Sequence, residues 1–257
     1  MKRIRVITVL VLIALVPAMC LAAKKDDGRI QELEEKVAAL ESELNERLTA
    51  MEALVDAKID AAVQEIANRE QNATKAFQEI AGLVSKGEHQ AAKAKMDTFN
   101  AKFAGTEAAR KGATMARELA VIGKKVSPEM AIQKWFHGEG EVTTLGGNGT
   151  TLVVFWEEWC PHCKREVPNV KSTYANLNSQ GLNVIALTQV TKSSTDEKVA
   201  AFVQQHQLTF PVAKEPGVIK REFNVSGIPA AAVVKDGVIV WRGHPARLSE
   251  TILKKWL

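Results

Sequence analysis

The sequence predicts an α/β domain over residues 127–257, preceded by an all-α region. Three observations carry that reading. From residue 141 onward, short apolar runs (Leu152–Trp156, Leu182–Leu187, Ala230–Val234) alternate with segments of helical character. Ile30 to Ile66 contains neither Gly nor Pro and carries an apolar seam at helical spacing. Between these regimes the chain is punctuated by Gly138, Gly140, Gly146, Gly147 and Gly149, a loop-rich passage.

The chain opens with a basic Met1–Arg5, an apolar Val6–Val16, Pro17, and small residues at Ala18, Ala22 and Ala23. This is the pattern of a secretory signal peptide over residues 1–23, cut after Ala22 or Ala23. Cys20 raises a lipoprotein reading, although Pro17 and Met19 are unusual before a lipidated cysteine. An uncleaved anchor is a third reading, because the apolar stretch is almost long enough to span a bilayer. All three place the protein outside the cytoplasm, and the periplasm is the expected compartment. Loss of Lys2, Arg3 and Arg5 lowers the formal charge of +4 to about +1. Nothing then favours nucleic acid as a partner.

A coiled-coil helix is expected over 28–67. Ile30, Leu33, Val37, Leu40 and Leu44 form a heptad seam, continued by Leu48, Met51, Val55, Ile59, Ala62 and Ile66. The second stretch averages about 3.67 residues per turn, so the supercoil relaxes there. A lone helix cannot bury such a stripe, so it needs a partner. That partner is either a second copy, giving a homo-oligomer, or the following helices of the same chain.

Residues 68–126 read as a helical spacer or hairpin. The polar Asn68–Asn72 is a break, or a solvated turn of a continuing helix. Phe77, Ile80, Leu83 and Val84 mark an amphipathic helix ended by Gly87. Residues 91–103 carry Met96, Phe99 and Phe103 on one side, read as core. Thr106 is a candidate N-cap for the helix running to Ile122. Ser127 is expected to cap a short helix over Pro128–Phe136, and Glu141–Leu145 to form an edge strand.

The strand Leu152–Trp156 runs into Trp159-Cys160-Pro161-His162-Cys163, followed by a helix. Cys-x-x-Cys at a strand-to-helix junction is a setting for thiol–disulfide exchange. Cys160 falls at the helix N-cap, where unpaired N–H groups and the helix dipole favour a thiolate. Pro161 suits the first helical position. His162, when protonated, adds positive charge beside the thiolate and makes the disulfide more oxidising. Cys163 is less exposed. These positions make Cys160 the attacking thiol and Cys163 the resolving one. A zinc site would need four ligands. The only other cysteine is Cys20, and the histidines lack ligand spacing. No metal and no organic cofactor is expected.

The segment FWEEWCPHCKREVP resembles the active-site segment of the thioredoxin superfamily, and within it the TlpA-like exported oxidoreductases. The resemblance rests on Trp159 before the first cysteine, Pro168 downstream, and Glu166 three residues after Cys163. It implies that Glu166 moves the proton of the buried thiol, against the plain alternative of a solvated helix carboxylate. The Pro-His dipeptide departs from many TlpA-like reductases and matches the DsbA-type oxidants, which opens the direction of electron flow. The order βαβα, then a loop and short helix, then ββα matches the thioredoxin fold from about Glu141 to Leu257. In that order Asp196–His206 and Gly217–Phe223 are helices, Phe210–Ala213 is extended, Lys235-Asp236-Gly237 is a tight turn, and Arg247–Leu257 is the last helix. The resemblance further implies a cis peptide bond at Pro229. That bond would face the cysteine pair and present Ile228 for backbone pairing with an extended substrate. Trp159 and Pro161 are expected to border the same surface.

The expected function is therefore periplasmic thiol–disulfide exchange with thiols and disulfides of exported proteins, in the reducing direction. A membrane redox partner would recharge the pair. A DsbA-like oxidant or an oligomeric isomerase is one alternative. A helical scaffold carrying a redox-capable domain is another.

Overall fold

The computed structural model describes residues 27–257, so the expected signal peptide and Cys20 lie outside the described residues. The chain divides into two compact units between Ile66 and Ala67.

Helix α1 (Asp27–Ser85) is continuous through Asn68–Asn72, which is therefore a solvated stretch of helix and not a break. Its seam residues from Ile30 to Ile66 are exposed, among them Leu40, Met51, Val55 and Ile59. Ion pairs at four-residue spacing, Lys36–Glu32 (2.5 Å) and Arg47–Glu43 (2.6 Å), flank the stripe. Each adds only a few tenths of a kcal/mol, about 0.2–0.5. Among the described residues no helix is long and apolar enough to cross a membrane.

In the second unit, α2 (His89–Lys102) and α3 (Glu107–Leu119) follow the end of α1. Thr106 caps α3 as expected, its hydroxyl accepting the Ala109 N–H at 3.2 Å. Met96, Phe99 and Phe103 are buried. These helices share one core with the sheet, so residues 68–126 and 127–257 lie in the same compact unit. The junction is stitched by backbone. Gly123 N–H donates to Ile239 O (2.8 Å), Ile239 N–H to Lys124 O (2.9 Å), and Val126 N–H to Gly237 O (2.9 Å).

Six strands form one mixed sheet in the order β1-β4-β3-β2-β5-β6. They are β1 (Lys134–His137), β2 (Thr150–Trp156), β3 (Leu182–Thr188), β4 (Val212–Lys214), β5 (Ala230–Lys235) and β6 (Val238–Gly243). β2 and β3 run parallel, and β5 returns antiparallel beside β2. The helices α4 (Pro161–Leu177), α5 (Asp196–Gln205), α6 (Val218–Glu222) and α7 (Glu250–Leu253) complete the domain.

Three expected elements need correction. Pro128–Phe136 is not a helix. Residues 134–137 are instead the edge strand β1, held antiparallel to β4 by Lys134↔Lys214 and Trp135↔Ala213. Glu141–Leu145 is not a strand, and its Val142 and Leu145 side chains insert into the core from a loop. The last helix is a single turn, α7, preceded by a 3-10 turn at Pro245–Arg247. The Asp236-Gly237 turn has both residues at positive φ (48° and 75°), the geometry that tight hairpins demand.

β2 is buried along its whole length and feeds two cores. Leu152, Val154 and Trp156 pack toward α4 and α5. Val153 and Phe155 pack toward α6 and the α1–α3 helices. This is the two-sided burial that a continuous apolar run requires of a central strand.

Candidate active site

The register between β2 and β5 assembles the site. Phe155 lies opposite Ala230, so the loop before β5 arrives beside the start of α4. Cys160 is the N-cap of α4, with φ −84° and ψ 114°, and Pro161 opens the helix. The Cys160 Sγ accepts the Cys163 backbone N–H at 3.4 Å, as a capping group does. The same sulfur faces the Ile228 carbonyl at 3.9 Å. The Ile228–Pro229 bond is cis. Cys160, Cys163, Ile228 and Pro229 are thus brought together. Pro161 and His162 are exposed on the first turn, and Trp159 is half-buried.

The two thiols differ in surroundings. Cys160 retains 4% exposure and Cys163 none. Burial pushes the Cys163 thiol well above the ordinary thiol range. Its hydrogen bond with Cys160 and the negative charge of Glu157 add to the rise, while a hydrogen bond with the Glu157 backbone pulls it back down.

Glu157 is the residue that sequence reasoning missed. Its carboxylate is buried. It accepts the Trp159 indole N–H at 2.6 Å and the Thr191 hydroxyl, with Lys220 Nζ at 3.7 Å. Lys192 Nζ sits 3.4 Å above the Trp159 ring, a cation–π contact that clamps the other side of the indole. Beside Lys220 lies a second buried carboxylate, Glu215, which accepts the N–H groups of Gly217 (2.7 Å) and Ile219 (3.1 Å). Burial pushes Glu215 up and those donors pull it down. Glu166, expected to move the Cys163 proton, is buried and pairs with Arg165 Nε at 2.9 Å. It lines a separate cavity with Asn169, Thr173, Pro245 and Leu248.

A sulfur at a helix N-terminus, a buried second thiol and, 3.9 Å from the first sulfur, the carbonyl of the residue before a cis-proline form an arrangement that suits exchange between thiols and disulfides. Comparison with known proteins agrees. The AhpC/TSA family model matches residues 120–242. The thiol-disulfide oxidoreductase ResA of Bacillus cereus is 32% identical over 126 residues, spanning 48% of this chain and 70% of its own. The chain belongs to the AhpC/TSA family, in its thioredoxin-like group of thiol–disulfide oxidoreductases. Another member of this oxidoreductase group, the sporulation thiol-disulfide oxidoreductase A of Bacillus subtilis, is 26% identical over 120 residues, 46% of this chain and 73% of its own. The crystal structure of StoA from Bacillus subtilis aligns with 53% of this chain and 98% of its own, at 25% identity and a TM-score of 0.41. The family match leaves out α1–α3, and the Cys160–Cys163 pair fits the family's Cys-x-x-Cys site.

Proposed function

We propose that this oxidoreductase works outside the cytoplasm and reduces disulfides in exported proteins through Cys160 and Cys163. The observation that carries the reading is the Cys160 sulfur, capped by an N–H and facing the Ile228 carbonyl. An extended substrate pairs with the backbone at Ile228 and presents its disulfide to that sulfur. Cys160 thiolate attacks one substrate sulfur. A Cys160–substrate disulfide forms, the substrate S–S bond breaks, and the departing sulfur takes a proton. Cys163 then gives up its proton and attacks the Cys160 sulfur. The second substrate sulfur leaves as a thiol, and the enzyme holds a Cys160–Cys163 disulfide. Two electrons have passed to the substrate. A dithiol donor at the membrane restores the pair.

The proton on Cys163 needs an acceptor, because its thiol resists ionisation. Glu157 is the carboxylate felt by Cys163, and we assign it that role in place of Glu166. Its hydrogen bonds to Trp159 and Thr191 hold the carboxylate in place. His162, exposed beside the thiols, tunes the couple toward oxidation, and each shift of about 30 mV is worth about 1.4 kcal/mol. The exposed stripe from Ile30 to Ile66 supports a homo-oligomer, with a second copy of the same helix as its cover. The leader supports export.

Insulin reduction tests the activity, and equilibration with glutathione tests the direction. A reduction potential close to about −120 mV, the strong-oxidant end of the scale, would reverse the proposed direction. Sedimentation of the leaderless chain is expected to give an oligomer at micromolar concentration. A monomer would leave the stripe unexplained.

A further inference from the structure

A cavity of about 520 Å³ lies between α3 and the loop that carries Ile228 and Pro229. Its chemistry is one-sided. Arg117, Arg242 and Arg247 line it together with His244, against the single carboxylate of Glu118. Glu118 is already held by Arg247 at 2.6 Å. Arg117 donates to the Thr114 hydroxyl at 3.2 Å.

Arg242 is the telling member. It is 8% exposed, and it donates to backbone carbonyls, Phe223 O at 3.2 Å and Gly243 O at 3.3 Å. A buried cation without a carboxylate of its own is costly. Desolvation makes its charged form less comfortable, and Glu118 offsets this only in part. An incoming anion would supply what the cavity lacks, and a guanidinium fork suits a carboxylate.

Position links this cavity to the exchange chemistry. Ile228 and Pro229 line it, and the Ile228 carbonyl is the group 3.9 Å from the Cys160 sulfur. A chain segment paired at Ile228 with its disulfide at Cys160 therefore has neighbouring residues within reach of the arginines. We propose that this cavity reads an acidic side chain flanking the target disulfide, so that the preferred substrate carries Asp or Glu beside its cysteine. The inference rests on the disulfide-exchange reading and adds a substrate class to it. The reader is partly built from α3, which lies outside the residues matched to the family. Helix α3 thereby gains a role in choosing substrates.

Three synthetic disulfide peptides, identical except for Glu, Gln or Lys beside one cysteine, test this. Turnover is measured with the full chain and dithiothreitol as terminal reductant. Binding is measured by fluorescence anisotropy on the full chain carrying Cys160→Ser and Cys163→Ser. The Glu peptide is expected to bind and react about tenfold better than the Gln peptide, with Lys last, and the gap should shrink in high salt. Arg117→Gln, at an exposed position that does not threaten folding, narrows the ratio. Glu118→Gln widens it by removing the competing carboxylate. Equal binding of the three peptides, or a ratio that neither variant moves, would overturn the inference. Binding in the expected order without turnover of any peptide would instead overturn disulfide exchange and leave the acidic reader standing.

Discussion

The two faces of the sheet have different tasks. On one, Leu152, Val154 and Trp156 meet α4 and α5, and the cysteine pair grows from that layer. On the other, Val153 and Phe155 meet α6 and then Met96, Phe99 and Leu119 of the α1–α3 helices. The family match takes in β1 to β5, nearly all of β6 and all of α4, but none of α1–α3. The reactive sulfurs thus need only the strand-to-helix junction, while the opposite face was free to take on extra helices. Those helices bring buried area, and α3 brings one wall of an arginine-lined cavity.

That contrast can be broken or sharpened by substitution. Cys160→Ser has the largest effect, because it removes the attacking sulfur. Insulin reduction is expected to fall to background while the thermal transition hardly moves. On the opposite face, Phe99→Ala is expected to cost about 3–5 kcal/mol in denaturant unfolding, through a cavity between Phe77 and Phe103. The protein that remains folded should keep its alkylation rate at Cys160. A fall in that rate matching the loss of stability would show the two faces to be coupled.

Glu157→Gln keeps acceptors for Trp159 and Thr191 but removes the charge. Turnover should drop about a hundredfold, the lower end for a lost acid–base group. In the same variant Cys163 should ionise at lower pH, since the like charge is gone. A variant with wild-type turnover would remove Glu157 from the proton path.

The smallest effect concerns His89, buried in α2 with Nδ1 on the Gly87 carbonyl (3.0 Å) and no hydrogen-bond partner at Nε2 among the described residues. Burial lowers its pKa below the usual value, a hydrogen bond to Gly87 opposes this, and the nearby Lys255 and Arg247 charges reinforce it. The unfolded chain therefore binds the proton more readily than the folded one. Stability is complete above the unfolded value of about 6.5 and declines as pH falls below it. Melting at successive pH values should show this slope in the wild type and lose it in His89→Phe.

The sequence revealed what depends on local chemistry. Cys160 as N-cap, Pro161 at the first helical position and the run of β2 all follow from neighbours in the chain. Features defined by distant partners were hidden. β1 exists because Trp135 pairs with Ala213. Alone, Lys134–His137 has too few residues to declare a strand. Glu157 looked like half of an ordinary acidic doublet, since Thr191 and Lys220 reach it from segments more than thirty positions away. Glu166 has the right spacing from Cys163, and its neighbour Arg165, which spacing did not single out, pairs with it.

The backbone of residues 123–126, bonded along Gly237–Ile239, has a consequence for a protein that exchanges disulfides. It occupies an outer margin of the sheet. The opposite margin is the short β1, with an irregular register between Trp135 and His137 and a lysine at its start. Stray strands therefore find little to zip onto at either border.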